Sequence, residues 1–555
     1  MKKINIIFII LISFFSIYKL RIDITNYNVI PLPKNIQSLS SNPFILNNET
    51  KIYYNNLTNI QLKKNAQFLQ EYIKTLTGFE LEILNEDIKQ DYNIIKLILD
   101  NNYFNIYNYN EKNTLNFEGY TLIIINNSIE IIGSTPNGIF YGIQTLRKSF
   151  STNANNNTNT KYTFPAVKII DSPRFKYRGM MEDICRHFFS LEFIKKYIDL
   201  LALHNMNIFH LHLSDDQGWR IEIKKYPLLT EIGSWRSCTV LGRNTGVYDE
   251  TPYGGFYSQD EIKEIIAYAE ERYITVIPEI DMPGHMLAAL AAYPNLGCTG
   301  GPYNVSSLWG VFPDILCAGN DETFNFIEGV LDEIINLFPS KYIHIGGDEA
   351  PKDRWENCEK CKKRLKDLNL ENFEDLQGYF SSRVEEYLNS KGRKIIGWDE
   401  ITKGKIKKSA TIMNWRGTDW GISAALNGHD VIVSPLSYAY FDYNQHNIED
   451  FSTPFVFHSK LTLKSVYNFE PIPENLPEDA KNHIIGVQAN LWAEYLITDN
   501  LAEYQLLPRM AAISEVQWLN SNQKSYGKFL IRLKKLTKLY NLYNYIYEDR
   551  EWVDN

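Results

Sequence analysis

The stretch YIHIGGDEAPKDRW, from Tyr342 to Trp355, joins an apolar run to two glycines and then to an adjacent pair of acids. The apolar run has the length and the β-branched residues of a buried strand. Asp348 and Glu349 come at its end. The pattern predicts a buried strand whose carboxyl end carries two neighbouring carboxylates, and the rest of the chain must explain why both are there.

Seven more apolar runs of strand length occur in the same part of the chain, at residues 177–184, 206–213, 273–280, 394–398, 411–415, 430–435 and 484–492. Helical patterns lie between them. In QDEIKEIIAYAEER, for example, Ile262, Ile265, Ile266 and Ala269 fall on one face. Strands that alternate with helices over about 350 residues are typical of a closed parallel barrel. We therefore predict an α/β fold whose main domain is a (β/α)8 (TIM) barrel.

Polar and aromatic residues follow each of the eight runs: Asp183, Arg186, His187, His212, Asp215, Asp216, Gln217, Glu279, Asp281, His285, Asp348, Glu349, Trp398, Asp399, Glu400, Asn414, Trp415, Tyr440, Asp442, Trp492 and Glu494. Catalytic groups of such barrels lie at the carboxyl ends of the strands. A rim that is merely solvated would show no such bias, so the pattern predicts an active site at this end.

The residue types at these strand ends favour carbohydrate chemistry. Three tryptophans can wall an apolar box around a sugar ring: Trp398, Trp415 and Trp492. Arg186 and Glu494 can hold hydroxyls through charge-assisted hydrogen bonds. Glycoside cleavage needs an acid at the leaving oxygen and negative charge near the anomeric carbon. Because adjacent residues cannot flank a sugar, one of Asp348 and Glu349 must do something other than attack carbon.

Length and composition indicate two domains and a globular protein. The chain has 555 residues, 44% apolar and 22% charged, with a net charge of −9 that argues against nucleic acid as a partner. A helical pattern at Ile60–Gly78, paired strand patterns around Asn126 and a second helix in PNGIFYGIQTLRKSF predict a small α/β domain. We place this domain at 22–150, a linker at 151–170, the barrel at 171–525 and a helical extension at 526–555.

The amino terminus predicts export. Lys2 and Lys3 precede roughly a dozen apolar residues, and Lys19 and Arg21 close the run, as in a signal peptide over residues 1–21. A membrane anchor is the alternative, but the run is shorter than the ~20 residues needed to span a bilayer. Five sequons agree with export and are candidate glycosylation sites: Asn48, Asn56, Asn126, Asn156 and Asn304.

The six cysteines are read in the same context. In an oxidising compartment Cys298 with Cys317 can close one loop by a disulfide, and Cys358 with Cys361 a second, tight one. A zinc site at CEKC needs a second pair of ligands, and none is spaced for it along the chain. We therefore expect disulfides and no metal, while Cys185 and Cys238 stay unassigned.

Several long motifs in a consistent order carry a resemblance to a known family: DSPRFKYRGMMEDICRHFF, HLHLSDDQGWR, IPEIDMPGH, HIGGDE, NWRG and NLWAEY. Together they resemble family 20 glycoside hydrolases, the β-N-acetylhexosaminidases, from Asp171 to about Trp518. The preceding α/β domain is similar to the small companion domain of that family. Members use substrate-assisted catalysis, an exception to the two-carboxylate scheme.

The resemblance implies a role for each matching residue. Glu349 is the general acid and then the base, and the attacking atom is the oxygen of the substrate's own 2-acetamido group, which gives an oxazolinium ion. Asp348 orients that group and offsets its charge, and Tyr440 binds its oxygen. The remaining roles are substrate contacts from Arg186, Trp398, Trp415, Asp442, Trp492 and Glu494, and support from an Asp215–His285 dyad, with Asp216 mainly structural.

The resemblance also implies substrates and setting. The expected partners are oligosaccharides, glycoproteins or glycolipids that end in β-linked GlcNAc or GalNAc, with no cofactor. The expected locations are the lysosome or the medium, and the resemblance also suggests a homodimer formed through the carboxyl face of the barrel, which is common in the family. Because Asp442 has no adjacent Arg, we expect a preference for neutral sugars. A like charge on Asp348 predicts a raised pKa for Glu349 and an acidic optimum.

Two other functions stay open from the sequence. The HLH at 210–212 resembles the metal-binding pair of some barrel hydrolases, with His285 and Asp348 as further ligands, although the tryptophans have no role in such a site. A sugar-binding module without turnover is the second alternative. Of the remaining polar residues, we expect Asp183 and His344 to be buried hydrogen-bond partners. For Asp399 and Glu400 the alternative to a role in the site is that they are rim charges.

Overall fold

The computed structural model describes residues 21–84, 92–102, 117–150, 160–446 and 457–553. Residues 1–20 of the predicted signal peptide, the sequon at Asn156 and most of the Asn-rich stretch after Phe150 lie outside these residues. Among the helices that are described, none combines the length and apolar character needed to cross a membrane.

The eight apolar runs form the closed barrel that the sequence predicts. Its strands are β1 (Tyr177–Asp183), β2 (Ile208–His212), β3 (Thr275–Glu279), β4 (Tyr342–His344), β5 (Lys394–Trp398), β6 (Thr411–Asn414), β7 (Val431–Val433) and β8 (Ile484–Leu491). All pairs are parallel, and β8 closes the ring by pairing with β1. Both faces of such a sheet are covered, which is why these strands read as continuous apolar runs.

Helices follow seven of the strands: Leu191–Leu203 after β1; Leu228–Glu231 and Gln259–Glu270 after β2; Leu287–Ala292 and Asp321–Leu337 after β3; Asp353–Glu356, Glu359–Asp367 and Phe373–Ser390 after β4; Thr418–Leu426 after β6; Leu436–Ala439, Leu463–Asn468 and Glu478–Lys481 after β7; Asp499–Leu506 and Arg509–Trp518 after β8. The helix expected after β5 is replaced by a 3-10 helix, Asp399–Lys403. The connection from β5 to β6 is too short for much more.

Local sequence sets where these helices begin. Gln259–Glu270 starts at Ser258, whose hydroxyl accepts the Glu261 N–H while the Glu261 carboxylate accepts the Ser258 N–H. This capping box satisfies two backbone donors that the helix cannot satisfy itself. The predicted apolar face is buried, because Ile262, Ile265 and Ala269 lose all contact with solvent.

The small domain is built on a seven-stranded mixed sheet. Its strands, in spatial order, are Asn35–Ser38, Val167–Asp171, Tyr120–Ile124, Ser128–Gly133, Ile94–Leu99, Lys51–Tyr54 and Glu82–Ile83. The predicted helices Ile60–Thr77 and Pro136–Ser149 pack on it, and Gly78 ends the first in a left-handed conformation. A three-stranded sheet of Arg21–Ile24, Thr160–Phe164 and Phe44–Leu46 completes the domain.

The predicted linker, residues 151–170, is wrong in its second half. Thr160–Phe164 and Val167–Asp171 are strands, and the second pairs with Tyr120–Ile124 inside the seven-stranded sheet. Alternating burial along Val167–Asp171 explains the pairing, because Val167, Ile169 and Asp171 face the interior. The small domain therefore runs on to Asp171, and only a few residues separate it from β1.

A buried ion pair joins the two domains. The guanidinium of Arg178, on β1, donates to both carboxylate oxygens of Glu118 at 2.9 Å. The same group also donates to the hydroxyl of Tyr141 in the small domain at 2.8 Å. Tyr141 packs edge-on against Trp518 from the barrel, with ring centroids 5.3 Å apart. The contacts between the domains therefore combine a charged pair with packed aromatic rings.

The predicted carboxyl-terminal extension is mainly the helix Tyr526–Leu542, followed by Arg550–Val553. Arg532 on this helix donates to both carboxylate oxygens of Glu515. Tyr540 contacts Nε2 of His204, which follows the first barrel helix, at 2.7 Å. The extension is thus packed on the barrel rather than detached from it.

Four of the five sequons are described, and the side chains of Asn48, Asn56, Asn126 and Asn304 are all exposed. Their surface position suits glycosylation, which stays a prediction.

The expected disulfides are wrong, since the described cysteines are all unpaired. Four of them instead form one cluster, in which Cys317 Sγ lies 3.7 Å from Cys358 Sγ and 3.6 Å from Cys361 Sγ, and Cys298 Sγ lies 3.8 Å from Cys361 Sγ. The exclusion of a second ligand pair beside CEKC is therefore wrong as well. Folding brings Cys298 and Cys317 to it from an earlier loop, which spacing along the chain does not reveal.

Candidate active site

The carboxyl ends of the barrel strands surround a cavity of about 180 Å³. Its walls are Arg186, Asp348, Glu349, Trp398, Trp415, Tyr440, Asp442, Tyr443, Trp492 and Glu494. All of these except Tyr443 are residues that the sequence predicts for the site. The other two, Asp215 and His285, lie behind the acid pair and contact it through the imidazole of His285.

Two glycines let the chain turn sharply between β4 and the acid pair. A Cβ at Gly346 would lie 1.7 Å from Oδ1 of Asp281, and φ at Gly346 is +63°. The N–H of Gly347 donates to that same oxygen at 3.1 Å. Glu349 then takes a φ of +44°, a strained conformation that is typical of functional sites. The turn brings both acids to the cavity wall.

His285 lies between two pairs of acids. Its Nδ1 is 3.2 Å from Oδ1 of Asp215 and 3.1 Å from Oδ2 of Asp216. Its Nε2 is 3.4 Å from Oε2 of Glu349 and 3.7 Å from Oδ2 of Asp348. Asp216 is therefore as close to the imidazole as Asp215, and the predicted dyad is a triad in which Asp216 takes an equal part.

These contacts favour a charged imidazole. Burial opposes the charge, but Asp215, Asp216 and Glu349 outweigh it and raise the pKa of His285 well above its usual range. In the same way burial opposes the charge of Asp215, yet Arg186 and His285 lower the pKa of that carboxyl well below its usual range. The site thus holds a fixed cation directly beside the acid pair.

The surroundings of the acid pair shift the pKa values of Asp348 and Glu349 in opposite directions. Burial, followed by the like charge of Glu349, raises the pKa of Asp348 to about 6 against the opposing effect of His285. For Glu349 burial is outweighed by the hydrogen bond with His285 and by the charges of His285 and Arg186, so its pKa is lowered. The predicted rise in the pKa of Glu349 is therefore wrong for the unliganded site, because the cation beside it outweighs its neighbour's charge.

Tryptophan rings form the apolar part of the cavity. Trp398 and Trp492 lie with ring centroids 5.9 Å apart, and Trp415 stacks on Tyr440 with centroids 6.3 Å apart. The indole N–H of Trp398 donates to Oε1 of Glu279 at 3.0 Å. That of Trp415 donates to Oε2 of Glu400 at 3.0 Å. Each N–H is bound behind the wall, so the rings are held in place.

Arg186 is fixed by three hydrogen-bonding partners. It donates to Oδ2 of Asp183 at 2.9 Å and to Oε1 of Gln217 at 3.0 Å, and it pairs with Oδ2 of Asp215 at 2.9 Å. Its guanidinium also lies 5.1 Å from the ring centre of Trp492. The cavity therefore has one rigid cationic corner.

Two acids face this corner. Burial and then the charge of Glu494 raise the pKa of Asp442 well above its usual range, and burial also raises the pKa of Glu494. Oδ1 of Asp442 is buried without a hydrogen-bond partner among the described residues. Oδ1 of Asp348 is in the same state. Unpaired buried acceptors are costly, and a polar ligand in the cavity can satisfy both.

Family models match most of the chain. Residues 175–521 match the catalytic domain of glycosyl hydrolase family 20, and residues 26–172 match domain 2 of the same family. The chain belongs to glycosyl hydrolase family 20. The second match ends beside Asp171, where the strand of the small domain ends.

Relatives of this family 20 chain include a β-hexosaminidase of Porphyromonas gingivalis, 42% identical over 91% of this chain and 62% of that protein. A β-hexosaminidase of Vibrio furnissii is 37% identical over 72% of this chain and 65% of its own length. The chain thus spans less than two-thirds of either relative. A solved exo-β-N-acetylglucosaminidase of Vibrio harveyi in complex with N-acetylglucosamine shows 30% identity and a TM-score of 0.78 over 95% of this chain and 79% of that one. A solved β-N-acetylhexosaminidase of Bacteroides fragilis shows 30% identity and a TM-score of 0.76 over 94% of this chain and 99% of that one.

Residues behind the wall of this family 20 site complete it. Glu279, at the end of β3, has carboxylate oxygens 2.8 Å from Nδ1 of His344 and 2.5 Å from Nδ1 of His212. Nδ1 of His344 accepts the backbone N–H of Gly346 at 3.1 Å. His344 is therefore a buried hydrogen-bond partner, as expected. Asp183 is one too, because it accepts backbone N–H groups of Cys185, Arg186 and Ala493.

The alternative that Asp399 and Glu400 are rim charges is wrong, because both are buried. Asp399 accepts the backbone N–H groups of Trp415 and Arg416 and pairs with the Arg416 guanidinium. Glu400 binds the indole of Trp415, so both acids hold the wall that β6 contributes.

No specific part in the site is predicted from the sequence for Tyr443, Glu279, Glu400 and Asp216. Position at a strand end already marks the last three. Tyr443 lies further along the loop after β7, beyond the short helix Leu436–Ala439 and the predicted Tyr440 and Asp442, and it begins the short strand Tyr443–Asn444. Its place in the wall depends on how that loop folds over the cavity.

Proposed function

We propose that this chain is a β-N-acetylhexosaminidase that releases terminal, non-reducing β-linked N-acetylhexosamine with retention of configuration. The observation that carries the proposal is the unequal environment of two adjacent carboxylates. The side chain of Asp348 is only 13% exposed and has an unsatisfied oxygen, whereas that of Glu349 is 40% exposed. The inner acid can serve a buried amide, and the outer acid a departing group.

The first step is an attack within the substrate. The carbonyl oxygen of the 2-acetamido group bonds to the anomeric carbon as the glycosidic bond breaks, which gives an oxazolinium ion. Asp348 accepts the acetamido N–H and offsets the charge that develops on the ring. Tyr440 donates its hydroxyl to the carbonyl oxygen and so holds it below the anomeric carbon. Trp398, Trp415 and Trp492 enclose the acetamide and keep water from it.

Glu349 moves the protons. It donates one to the glycosidic oxygen as that bond breaks, and it then takes one from the water that opens the oxazolinium ion. Two inversions at the same carbon give net retention. His285, held by Asp215 and Asp216, orients the Glu349 carboxyl between the two steps.

The far wall selects the sugar and its position. Arg186, Asp442 and Glu494 offer a cation and two buried acceptors to the ring hydroxyls. A cavity of about 180 Å³ suits a single sugar at the end of a glycan. Arg186, the cation of this wall, is already paired with Asp183 and Asp215, so it has no free charge to balance an anionic substituent. We therefore propose neutral terminal sugars as substrates, in oligosaccharides, glycoproteins or glycolipids.

Delivery and assembly rest on the sequence. Lys2, Lys3 and the apolar run after them support export through a signal peptide, and exposed sequons agree with it. Lysosomal delivery, secretion and a homodimer through the carboxyl face of the barrel stay predictions.

The test compares two leaving groups in two variants. We expect Glu349→Gln to lower kcat/KM by about 10²- to 10⁴-fold on the β-1,4-linked disaccharide of N-acetylglucosamine, and less on its nitrophenyl glycoside, which needs less protonation to depart. Asp348→Asn should lower both rates by a similar factor of about 10²- to 10³-fold. Exposed Glu264→Gln is the control and should change neither rate.

A second comparison asks whether the amide takes part. The nitrophenyl glucoside, which has a hydroxyl in place of the acetamido group, should be turned over at a negligible rate by the wild-type protein. Equal rates on both glycosides, or a glycosyl group trapped on a protein side chain, would contradict the mechanism. Tight binding of N-acetylglucosamine without turnover would favour the sugar-binding module.

A further inference from the structure

Four cysteines from two loops meet at one point beside the barrel. Cys298 and Cys317 lie in the loop after β3, and Cys358 and Cys361 lie in the loop after β4. Their sulfur atoms are within 4.8 Å of one another, and three of the pairs are 3.6 to 3.8 Å apart. Cys317, Cys358 and Cys361 are buried, and Cys298 is partly so.

These distances fit a tetrahedral metal centre and not a disulfide. Bonded sulfur atoms lie about 2.05 Å apart. Four sulfurs placed about 2.3 Å from a central Zn²⁺ lie about 3.8 Å from each other, since they occupy the corners of a tetrahedron. Cys317 meets two neighbours at nearly this distance, so no pairing into two disulfides is preferred by the geometry.

The backbone around the cluster is built to hold the four sulfurs together. Gly297 and Leu316 form an antiparallel bridge, and the Cys317 N–H donates to the carbonyl of Leu296 at 2.9 Å, so the two ligands from the first loop lie side by side. Cys358 is the N-cap of the helix Glu359–Asp367, and Cys361 lies in its first turn. C-x₂-C at the start of a helix is a common zinc-ligand arrangement.

Gly319 allows the two loops to approach each other. A Cβ at this position would lie 2.2 Å from the carbonyl carbon of Lys360 and 2.4 Å from the backbone nitrogen of Cys361. Backbone this close leaves no room for a side chain. The contact brings the residues after Cys317 directly against the C-x₂-C turn.

We propose that Cys298, Cys317, Cys358 and Cys361 bind one Zn²⁺ as a structural, fully coordinated site. Thiolate ligands in tetrahedral geometry select zinc among the divalent metals available to proteins, and binding releases the thiol protons to solvent. Four protein ligands leave no open position for substrate or water, so the ion takes no part in chemistry. It ties the loop that carries His285 to the loop that carries Asp348 and Glu349.

The first measurement is the metal content of the full-length protein, purified in reducing buffer without chelator. We expect about one zinc per chain by elemental analysis. Replacement by Co²⁺ should give the d–d absorption of a tetrahedral ion together with a sulfur-to-cobalt charge-transfer band. These readouts do not depend on enzyme activity, so they test the site separately from the proposed function.

Two single variants locate the site. Cys361→Ser should lose most of the zinc and lower the unfolding temperature, whereas Cys238→Ser, a cysteine outside the cluster, should keep both at the wild-type value. If Cys361→Ser does not fold, the cobalt spectrum of the wild-type protein still decides the question. Protein without metal, disulfides among these four cysteines in the unreduced protein, or an iron–thiolate absorption spectrum would overturn the proposal.

Discussion

His285 is the residue on which the charges of the site depend. Its imidazole contacts Asp215 and Asp216 on one side and the acid pair on the other. It takes a left-handed φ of +53°, which a non-glycine residue adopts only where surrounding contacts hold it. A charged His285 explains why Glu349 gives up its proton more readily than Asp348 when no sugar is bound.

Substrate binding must move the proton of the pair from Asp348 to Glu349. Catalysis needs a charged Asp348 to accept the acetamido N–H and a protonated Glu349 to donate to the leaving oxygen. Both arrangements carry one proton on the pair, so the pair titrates as a unit. The sugar favours the productive arrangement, because its N–H stabilises the charge on Asp348.

A pH profile follows from this shared proton. The higher pKa of the pair is that of Asp348, raised to about 6. Below this value the pair holds the proton that Glu349 delivers, and above it the proton is lost, so kcat/KM should fall about tenfold per pH unit on the alkaline side. The measurement is kcat/KM on the nitrophenyl N-acetylglucosaminide from about pH 4 to about pH 9, a range that covers the alkaline limb of the profile. A flat profile through neutral pH would refute the assignment.

Tyr440 offers a residue-level test of the internal nucleophile. Tyr440→Phe keeps the ring that stacks on Trp415 and removes only the hydroxyl. We expect kcat to fall by about 10²- to 10³-fold with a smaller change in KM, because the lost hydrogen bond strengthens as the oxazolinium ion forms. Tyr443→Phe is the matched control in the same wall, and its effect should be at least tenfold smaller by steady-state kinetics.

The acidic wall predicts which substituents are excluded. Asp442 and Glu494 lie together at the cavity, and the described wall has a single cation, Arg186, held by other acids. A 6-sulfated nitrophenyl N-acetylglucosaminide should therefore show a much lower kcat/KM than the unsulfated compound. Comparable turnover of the two would contradict the proposed preference for neutral sugars.

At the scale of elements, the turn after β4 decides whether the site forms. Gly346→Ala places a Cβ 1.7 Å from Asp281 in a left-handed conformation, so both clash and backbone strain oppose folding. Gly392→Ala has a similar φ of +77° but open space around the new atom, and it should cost only about 1–2 kcal/mol. Chemical denaturation should show a clearly larger loss for Gly346→Ala, together with lost activity. Equal losses would mean that the close approach to Asp281 does not matter.

Elements with a strong local pattern are the ones that the sequence predicts well. The eight barrel strands are rich in apolar residues because helices and core cover both faces, so runs such as Lys394–Trp398 are visible in the sequence. The strand Val167–Asp171 is not predicted, because it is short and follows a polar stretch that favours a linker. The cysteine cluster was hidden for another reason: Cys298 and Cys361 meet only after two loops fold together, and no local pattern records that contact.

The same distinction applies to the candidate site. Motifs at strand ends predict nine of the ten residues that line the cavity. They do not predict the direction of the pKa of Glu349, which depends on the distance between its carboxyl and His285. Nor do they predict that Asp399 and Glu400 turn inward to hold Trp415 and Arg416.

At the scale of the whole molecule, the ion pair between Arg178 and Glu118 connects the two domains. Glu118→Gln leaves the nearly inaccessible guanidinium of Arg178 without its charged partner, and we expect a loss of about 3–5 kcal/mol in the free energy of unfolding. Glu264→Gln removes the exposed partner of Lys195 and should cost about 0–1 kcal/mol. Urea titrations of both variants give the comparison. Similar small losses would show that the interface does not depend on this pair.

The strand Val167–Asp171 has a consequence for how this protein can be rearranged. It belongs to the sheet of the small domain, and the chain enters β1 only a few residues later. The two folded units are thus joined by the short segment 172–176 and held against each other by the contacts of Arg178 with Glu118 and Tyr141. We therefore expect the small domain and the barrel to occur together in related proteins and to be expressed and purified together. A barrel excised after Asp171 would present Arg178 and the surface around Trp518 to water, and it should be recovered mainly as aggregate.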